Sequence, residues 1–410
     1  MRFSPALPLG DGPLQARRAS AGAAERIRPR GRLLASPRRC SGSARAGPAG
    51  PGAAPGRHAG DPTVNDATPV LEGRNLTKHF WVKQGRGPFA RRVPVNAVDN
   101  VSVRLEGGKV TALVGESGAG KTTVGRLLAK IIKPDAGAIL VDGRPAPSGR
   151  PRSYAATVQM VFQDPFASLN PVHRIRHHIV RPLQIHHLAT RDVNSVVAGL
   201  LGRVALKPAA RFAAKFPHEL SGGQRQRVAI ARALAVRPRV LIADEPVSML
   251  DVSIRLGILN LLADLRDEER LAILYVTHDI ASARYLADTI AVMYAGQLVE
   301  VAPSVELTDH PAHPYTQLLL SAAPDPDRAQ PPVLAGSGAP PSLLAPPSGC
   351  RFHPRCPHAM DVCSRKAPPS ITVAPDHIAA CWLHVDPSER QASENGAIAT
   401  GPLEKAESKR

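Results

Sequence analysis

The sequence of 410 residues has no stretch that approaches the roughly 18–20 consecutive apolar residues of a membrane-spanning helix. Residues 1–8 also lack the apolar run and small-residue cleavage site of a secretory signal. Cysteine is scarce: there are five, and the four near the C-terminus indicate neither a disulfide framework nor an exported protein. These absences predict a soluble protein of the cytosol.

Acidic residues are relatively few: 34 Asp and Glu stand against 52 Lys and Arg, which gives a formal net charge of +18. Residues 1–66 hold eleven Arg against four acidic residues, so much of the excess is local and no nucleic-acid partner is expected. This segment is rich in Ala, Gly, Pro and Arg and has no apolar periodicity. It is predicted to be a disordered tail, the alternative being a basic arm that touches lipid headgroups or RNA.

From Val70 onward, short apolar runs of β type alternate with helical patterns. Strands are predicted at residues 101–105, 110–114, 158–162, 240–243 and 271–277, and a helix over residues 121–132. Residues 170–217 have a helical pattern without a strand candidate. Apolar strands that alternate with helices are typical of a mainly parallel sheet with helices on its faces. The sequence therefore predicts an α/β fold with an inserted helical subdomain.

Composition sets the expected boundaries of the parts. The main domain is predicted over residues 67–322, with its helical subdomain at about 165–230. Residues 323–386 are predicted to form a Pro-rich linker and a small module that contains four cysteines. Residues 387–410 are mostly polar and are predicted to be a second disordered tail.

A glycine-rich segment lies between the strand predicted at residues 110–114 and the helix that follows. It matches a phosphate-binding loop, and its residues are Gly115, Glu116, Ser117, Gly118, Ala119, Gly120, Lys121 and Thr122, followed by Thr123. In such a loop, backbone N–H groups surround the phosphates and Lys121 places a positive charge on the β and γ phosphates. The Thr122 hydroxyl is a candidate ligand of Mg²⁺. Nucleotide binding is therefore expected.

Two carboxylates, Asp244 and Glu245, end the apolar run at residues 240–243. Ligands of parallel α/β sheets bind at that end of the strands. Asp244 is predicted to hold Mg²⁺, directly or through water, and Glu245 to polarise the attacking water as a general base. A buried strand ending in Asp-Glu is common, and the upstream phosphate loop is what favours the catalytic interpretation.

A second glycine-rich turn follows Leu220 at a predicted helix start. We call Ser221, Gly222, Gly223 and Gln224 the signature segment. It offers another anion site at a helix N-terminus, whereas one domain needs one such site per triphosphate. The segment is therefore predicted to serve a nucleotide held by a different subunit. Taken alone, Leu220 and the signature segment could equally form a simple helix-capping turn.

In this order the motifs resemble the nucleotide-binding domain of ABC transporters over roughly residues 69–320. The series comprises the phosphate loop, Gln163, Leu220 with the signature segment, Asp244 with Glu245, Asp251 and His278. The resemblance implies a P-loop NTPase domain of ABC type with a helical subdomain and a small antiparallel β region, plus the small Cys-containing C-terminal module. It also implies ATP hydrolysis with ATP and Mg²⁺ as cofactors.

The resemblance also implies roles for single residues. Gln163 resembles the lid-loop glutamine that contacts Mg²⁺ and water, and His278 the switch histidine that contacts the γ-phosphate. Asp251 resembles a residue of the loop where two subunits meet, although Met249 replaces a usual Ala there. A lone His at a strand end is more often structural, and the position of His278 in the series is what favours the catalytic role.

An aromatic residue that stacks on adenine is also implied. Phe80 or Trp81, just after the first strand candidate, could take that place, and Phe80 is the prediction. Either ring could instead belong to the core. The resemblance further implies that two such domains close head to tail around two ATP molecules, each phosphate loop facing the signature segment of the other.

Residues 162–171 and 244–248 resemble the oligopeptide and dipeptide importers within this family, as do residues 313–316 and the cysteine module. Such importers join a second, usually paralogous ATPase subunit to two membrane permease subunits and an extracytoplasmic substrate-binding protein. The expected location is peripheral, on the cytoplasmic face of the cell membrane.

The transported substrate stays open, since some relatives in this group carry oligosaccharides or nickel instead of peptides. A soluble ABC ATPase outside transport is a remote alternative, because such proteins usually have two ATPase domains or a long coiled coil.

Cys350, Cys356, Cys363 and Cys381 are four candidate metal ligands. Four thiolates suffice for one tetrahedral zinc or one [4Fe–4S] cluster, but the usual pair of C-x₂-C knuckles is absent. Composition therefore leaves a cluster, zinc and reduced thiols open. The resemblance adds that some peptide importers hold an iron–sulfur cluster in this module.

Overall fold

The computed structural model describes residues 68–84, 91–188, 192–322 and 341–394. The tail predicted at residues 1–66, the linker residues 323–340 and the end of the second predicted tail, residues 395–410, lie outside the described residues. Within that second tail, the described residues Pro387–Glu394 form a helix, and Asp386 accepts a hydrogen bond from the Ser388 N–H at its start.

The strands of the described ranges are β1 (Leu71–Gln84), β2 (Arg91–Leu105), β3 (Val110–Val114), β4 (Ala136–Val141), β5 (Arg144–Pro145), β6 (Val158–Val161), β7 (Val240–Asp244), β8 (Ala272–Thr277), β9 (Thr289–Tyr294), β10 (Gln297–Pro303), β11 (Ser370–Ala374) and β12 (His377–Ala380). The helices are α1 (Lys121–Leu128), α2 (Arg152–Thr157), α3 (Pro165–Ser168), α4 (Ile175–Ile185), α5 (Val193–Arg203), α6 (Ala209–Ala214), α7 (Gly222–Leu234), α8 (Val252–Glu269), α9 (Ile280–Leu286), α10 (Ser304–Asp309), α11 (Pro314–Ser321), α12 (Asp361–Arg365) and α13 (Pro387–Glu394).

In the described residues, these strands form two sheets. The larger has the order β11-β12-β10-β9-β3-β8-β7-β6, and its pairs from β9 to β6 are parallel. The smaller has the order β2-β1-β4-β5 and is antiparallel. The predicted parallel sheet and the small antiparallel region are therefore both present.

The central strands are mostly apolar because both faces of the sheet are covered. In β8, Ile273 and Tyr275 contribute to the apolar core on one face, whereas Ala272, Leu274 and Val276 contribute to the core on the other. All five are buried. Successive side chains of a strand point to opposite faces, so a strand between two cores needs an unbroken apolar run.

Helices α3 to α7 lie between β6 and β7 in the chain, where the helical subdomain is predicted. The strand predicted at residues 110–114 has those bounds, whereas the helix predicted to reach residue 132 ends at Leu128. Lys130 just beyond adopts a left-handed φ of 52°, and Pro134 follows. Both features end a helix.

The C-terminal module continues the large sheet. Strand β12 pairs with β10 through Glu300 opposite Ala379 and Val301 opposite Ile378, and β11 pairs with β12. The four-cysteine region is therefore joined by backbone hydrogen bonds to the sheet whose central strands lead to the phosphate loop.

Candidate functional site

Four neighbouring strands of the large sheet end next to the predicted site residues. β3 leads into the phosphate loop, β8 into His278, β7 into Glu245 and β6 into Gln163. These strands are parallel, so their carboxyl ends share one edge. The sheet topology thus gathers residues that are far apart in the sequence.

Lys121 closes the phosphate loop on itself. Its Nζ donates to the carbonyl oxygens of Gly115 at 2.7 Å and Glu116 at 2.9 Å. The side chain is buried, and burial lowers the pKa of Lys121 while the Glu245 and Asp244 carboxylates oppose that shift. A buried ammonium at the start of α1 is well placed to attract phosphate oxygens.

Two glycines of the loop are required by close backbone contacts. Gly120 has a φ of 104°, and a Cβ atom there would lie 2.2 Å from the carbonyl oxygen of Ala97. A Cβ atom at Gly115 would lie 2.1 Å from the carbonyl oxygen of Met293. Any side chain at either position would displace the loop from the strands around it.

Thr122 and Asp244 meet beside the loop. The Thr122 hydroxyl donates to Asp244 Oδ1 at 2.9 Å, and Asp244 is buried. Burial raises the pKa of the Asp244 carboxyl, whereas the hydrogen bond from Thr122 opposes that rise. A divalent cation would favour the ionised carboxylate. A hydroxyl and a carboxylate at this spacing therefore fit Mg²⁺, which takes oxygen ligands.

The three predicted catalytic residues come together at Glu245. Its Oε2 accepts a hydrogen bond from Gln163 Nε2 at 2.9 Å, and its Oε1 lies 3.5 Å from His278 Nδ1. The Glu245 backbone has a φ of 44°, and its N–H donates to the carbonyl oxygen of Val276 on β8. A left-handed φ is uncommon outside glycine and marks local strain at this position.

The signature segment forms the start of α7. Ser221 Oγ accepts from the Gln224 N–H at 3.3 Å, and the Gln224 side chain accepts from the Ser221 N–H at 3.1 Å. A Cβ atom at Gly223 would lie 2.4 Å from Ile254 Cγ2 on α8. A helix-capping turn is thus present, and no hydrogen bond among the described residues joins this segment to the phosphate loop, so the role towards a partner's nucleotide stays a prediction.

Asp251 and Phe80 lie apart from these contacts. Asp251 is exposed at the start of α8 and makes no side-chain capping bond to it. Phe80 lies on β1 with 39% of its surface exposed, and Lys78 Nζ is 5.8 Å from its ring centroid. Trp81 is 65% exposed. Neither ring belongs to the core, and the adenine contact stays a prediction.

Two of the four cysteines are joined through their backbones, since the Cys350 N–H donates to the Cys363 carbonyl oxygen at 2.8 Å. Burial is the largest cause that raises the pKa of Cys350 to about 11 and that of Cys381 to about 12, the neighbouring cysteines add to the rise, and local backbone hydrogen bonds oppose it. The pKa of Cys356 is also raised by burial. Within residues 68–84, 91–188, 192–322 and 341–394, no group of three or more His, Cys, Asp or Glu is gathered closely enough to hold a metal.

Two further residues contact the phosphate loop, and the motifs above did not single them out. The Tyr315 hydroxyl oxygen accepts a hydrogen bond from the Glu116 N–H at 2.9 Å, and the Arg355 guanidinium contacts the Glu116 carboxylate. Residues 313–316 and the cysteine module, in which Arg355 lies, resemble one branch of the family, but no local sequence pattern links them to the loop.

A phosphate loop next to a strand-end Asp-Glu pair defines a P-loop nucleotide hydrolase. Residues 98–248 match the family model described as ABC transporter, and residues 299–363 match the one described as oligopeptide/dipeptide transporter, C-terminal region.

Relatives extend this similarity along most of the chain. The oligopeptide transport ATP-binding protein AppF of Bacillus subtilis is 43% identical over 332 residues, which cover 78% of this chain and 99% of that protein. The di/tripeptide transport ATP-binding protein DppF of Pseudomonas aeruginosa is 42% identical over 305 residues, covering 73% and 93% respectively.

Solved structures agree with the fold. A dimeric ATP-binding cassette in a post-hydrolysis state with ADP and phosphate is 28% identical, with a TM-score of 0.50, over 57% of this chain and 98% of that one. The cbiO1 protein of Clostridium perfringens, part of an ABC transporter complex, is 27% identical with a TM-score of 0.51, over 59% and 92%.

The chain belongs to the ABC transporter family. It is an ATP-hydrolysing subunit that binds ATP and Mg²⁺, so the predicted family, fold and activity are confirmed. An ATPase of this kind works with membrane permeases. In the described part of the chain, no helix has the length and apolar character to cross a bilayer.

Proposed function

We propose that this chain powers the import of dipeptides and oligopeptides by hydrolysing ATP. The observation that carries the proposal is that one chain joins an ABC ATPase region to the C-terminal region of the oligopeptide/dipeptide transporters. Relatives named for peptide transport match over both regions. Cargo selection would lie in other subunits, with this chain supplying the energy.

ATP would be bound mainly through the phosphate loop. Its N–H groups and the Lys121 ammonium would surround the β and γ phosphates once Lys121 exchanged its two carbonyl partners for phosphate oxygens. Thr122 and Asp244 would hold Mg²⁺, which neutralises phosphate charge when bound. Thr123 on α1 and Phe80 on β1 would complete the site, Phe80 by stacking on adenine.

Hydrolysis would centre on Glu245. Its carboxylate would orient and deprotonate a water molecule, with Gln163 and His278 next to its two oxygens. Gln163 would contact both this water and the Mg²⁺ ligand shell, and His278 would reach the γ-phosphate. The rate would then come mainly from positioning and electrostatic stabilisation.

A second ATPase subunit, a paralogue of this chain, would complete the arrangement. The signature segment places the N-terminal end of α7 where an anion can bind, while its own side chains are occupied by the cap. It would face the phosphates held by the partner, and Asp251 would line the contact between the subunits.

Substituting Ser221 tests this arrangement through charge alone. Ser221→Asp retains a good N-cap but places a negative charge towards the partner's phosphates, whereas Ser221→Asn is a neutral cap of the same shape. We expect Ser221→Asp to lower ATP turnover of the complex at least tenfold relative to Ser221→Asn. The added negative charge would repel the phosphates at a position where the native helix start stabilises them. ATP binding by the isolated chain should be equal in the two variants. If Ser221→Asp alone weakened that binding by a similar factor, Ser221 would belong to this chain's own site.

The membrane partners would be two permease subunits, with a substrate-binding protein on the far side of the membrane. Their docking site on this chain would be a surface hollow in the helical region, lined by Val172, His173, His177, Val180 and Phe216 among others. Val172 is 75% exposed there. The chain would therefore lie peripherally on the cytoplasmic face of the cell membrane.

For the four cysteines we propose the [4Fe–4S] alternative. Its support is the presence of four cysteines within one small module, a number that suffices for one such cluster. The described geometry does not bring three donors to coordination distance, so no step of the reaction is assigned to a cluster. Without a metal, the raised pKa values keep Cys350 and Cys381 protonated and unreactive near neutral pH.

Metal analysis decides between the three alternatives for this module. After anaerobic purification, the proposal predicts about four iron and four sulfide per chain. Cys381→Ser should lose most of both. Zinc without sulfide, or the absence of iron, sulfide and zinc, would overturn the cluster.

The cargo proposal is tested by uptake in cells that lack this subunit. Labelled tripeptide, nickel and an oligosaccharide would be compared after complementation with the wild-type chain or with Lys121→Ala. Peptide uptake alone should depend on the wild-type chain. Rescue of nickel or oligosaccharide uptake instead would replace the peptide assignment, and rescue of none would contradict import.

A further inference from the structure

The C-terminal region reaches the phosphate loop at Glu116, the second residue of the loop. Tyr315 is fully buried in the first turn of α11, and its hydroxyl oxygen accepts the Glu116 N–H at 2.9 Å. Lys121 Nζ donates to the Glu116 carbonyl oxygen from the other side. The peptide groups of Glu116 are therefore held by Lys121 of the phosphate loop and by Tyr315 of the C-terminal region matched over residues 299–363.

Arg355 holds the side chain of the same residue. Its Nη1 and Nη2 donate to the two Glu116 carboxylate oxygens at 3.0 Å each, which is a bidentate ion pair. Both side chains are largely shielded, with 11% of Arg355 and 26% of Glu116 exposed. Such charge-assisted pairs are strong and fix direction as well as distance.

An aromatic cluster keeps Arg355 and Tyr315 in place. Tyr294, Tyr315 and Phe352 have ring centroids 4.5–5.5 Å apart. The Arg355 guanidinium lies 5.8 Å from the Tyr294 ring centroid and 5.9 Å from that of Phe352, and it also donates to the Tyr294 hydroxyl. The Arg355 side chain is therefore held in position by these rings as well as by Glu116.

The start of α11 is anchored by a buried carboxylate. Glu300 on β10 accepts from the N–H groups of Ala312 and His313 at 2.8 and 2.9 Å, and it lies 2.7 Å from His377 Nε2 on β12. His313 then caps α11 by accepting from the Tyr315 N–H. This network connects the module strands to the residue that accepts from the phosphate loop.

We propose that Arg355 and Tyr315 are positioning residues for ATP binding, which hold Glu116 so that the N–H groups that follow it face the phosphates. This inference rests on the ATPase assignment and is independent of the cargo. The C-terminal region then acts directly on nucleotide affinity. Its loss would weaken the binding of ATP while leaving the groups at Glu245 in place.

The ion pair is tested by a double-mutant cycle on ATP affinity. Calorimetric titration of the full chain with ATP and Mg²⁺ would compare wild type, Arg355→Ala, Glu116→Gln and the double variant. We expect each single variant to raise the Kd for ATP about tenfold, and the double variant to be no weaker than either single one. Arg355→Lys, which keeps the charge without the bidentate geometry, should recover about half of the loss on a logarithmic scale.

Asp99→Asn is the matched control. Asp99 forms an ion pair with Arg351, which lies close to Arg355 in the sequence, and Asp99 itself lies outside the phosphate loop. It should lower the melting temperature as Glu116→Gln does but change the Kd by less than about twofold. In the assembled transporter, Arg355→Ala should raise KM for ATP more than it lowers kcat.

Two results would overturn the positioning role. One is a Kd within twofold of wild type for both Arg355→Ala and Glu116→Gln, whatever their melting temperatures. The other is a double variant whose loss equals the sum of the single losses. Failure of the wild-type chain itself to bind ATP would instead contradict the ATPase assignment.

Discussion

Glu245→Gln is expected to reduce ATP turnover of the assembled transporter at least 100-fold while changing the Kd for ATP by less than about threefold. The amide cannot accept a proton from water, yet it keeps the shape of the carboxylate and can still hydrogen-bond Gln163. Removing one negative charge near the phosphates also removes repulsion, so binding should not weaken. Steady-state hydrolysis and calorimetric titration measure the two quantities separately.

The control for this substitution is Glu106→Gln. Glu106 pairs with Lys109 at the surface, so the chemical change is the same but lies outside the site. Its turnover should stay within about twofold of wild type, because surface ion pairs contribute little. Near-normal turnover of Glu245→Gln would refute the general-base role.

Lys121→Ala is expected to weaken ATP binding by at least 100-fold. The buried ammonium is the positive charge nearest the loop carbonyls, and its loss removes both the phosphate contact and the two hydrogen bonds that close the loop. Lys121→Met, which keeps the length and packing of the side chain, should bind as poorly, and this variant separates lost charge from lost packing. The Kd for ATP by calorimetry is the measurement.

Lys109→Ala is the matched control, because Lys109 is an exposed lysine paired with Glu106. It should bind ATP like the wild type. An unchanged Kd in both Lys121 variants would contradict the assignment of the phosphate loop, provided that thermal melting shows all variants folded.

The phosphate loop could be predicted from the sequence because its residues are contiguous and the strand and helix on either side have clear patterns. The same holds for Asp244 and Glu245, which end a strand that must be apolar to lie between two cores. Their meeting with Gln163 and His278 follows from parallel strand order, which the motif series implied only through the family.

The contacts of Arg355 and Tyr315 could not be predicted in this way. Tyr315 lies 199 residues from Glu116 in the sequence and Arg355 lies 239 residues away. No periodicity reports a pairing over such a separation. The same limit applies to β12, a short strand whose partner β10 is fixed by tertiary packing rather than by a local turn.

The predicted roles of the signature segment and of Asp251 belong to a different category. Each role needs a partner subunit, whereas the local structure of the segment is fully explained by helix capping. Sequence and single-chain geometry therefore lead to the same helix start, and only assays on the assembled pair distinguish a cap from half of an ATP site.

ATP-driven uptake of a labelled tripeptide by proteoliposomes that contain the assembled transporter and its binding protein tests the central claim most directly. We predict that uptake requires ATP and Mg²⁺ on the side of the ATPase subunits and falls below about a tenth of wild type with Glu245→Gln in this chain. Uptake that proceeds without ATP, or that is unchanged by Glu245→Gln, would contradict the account.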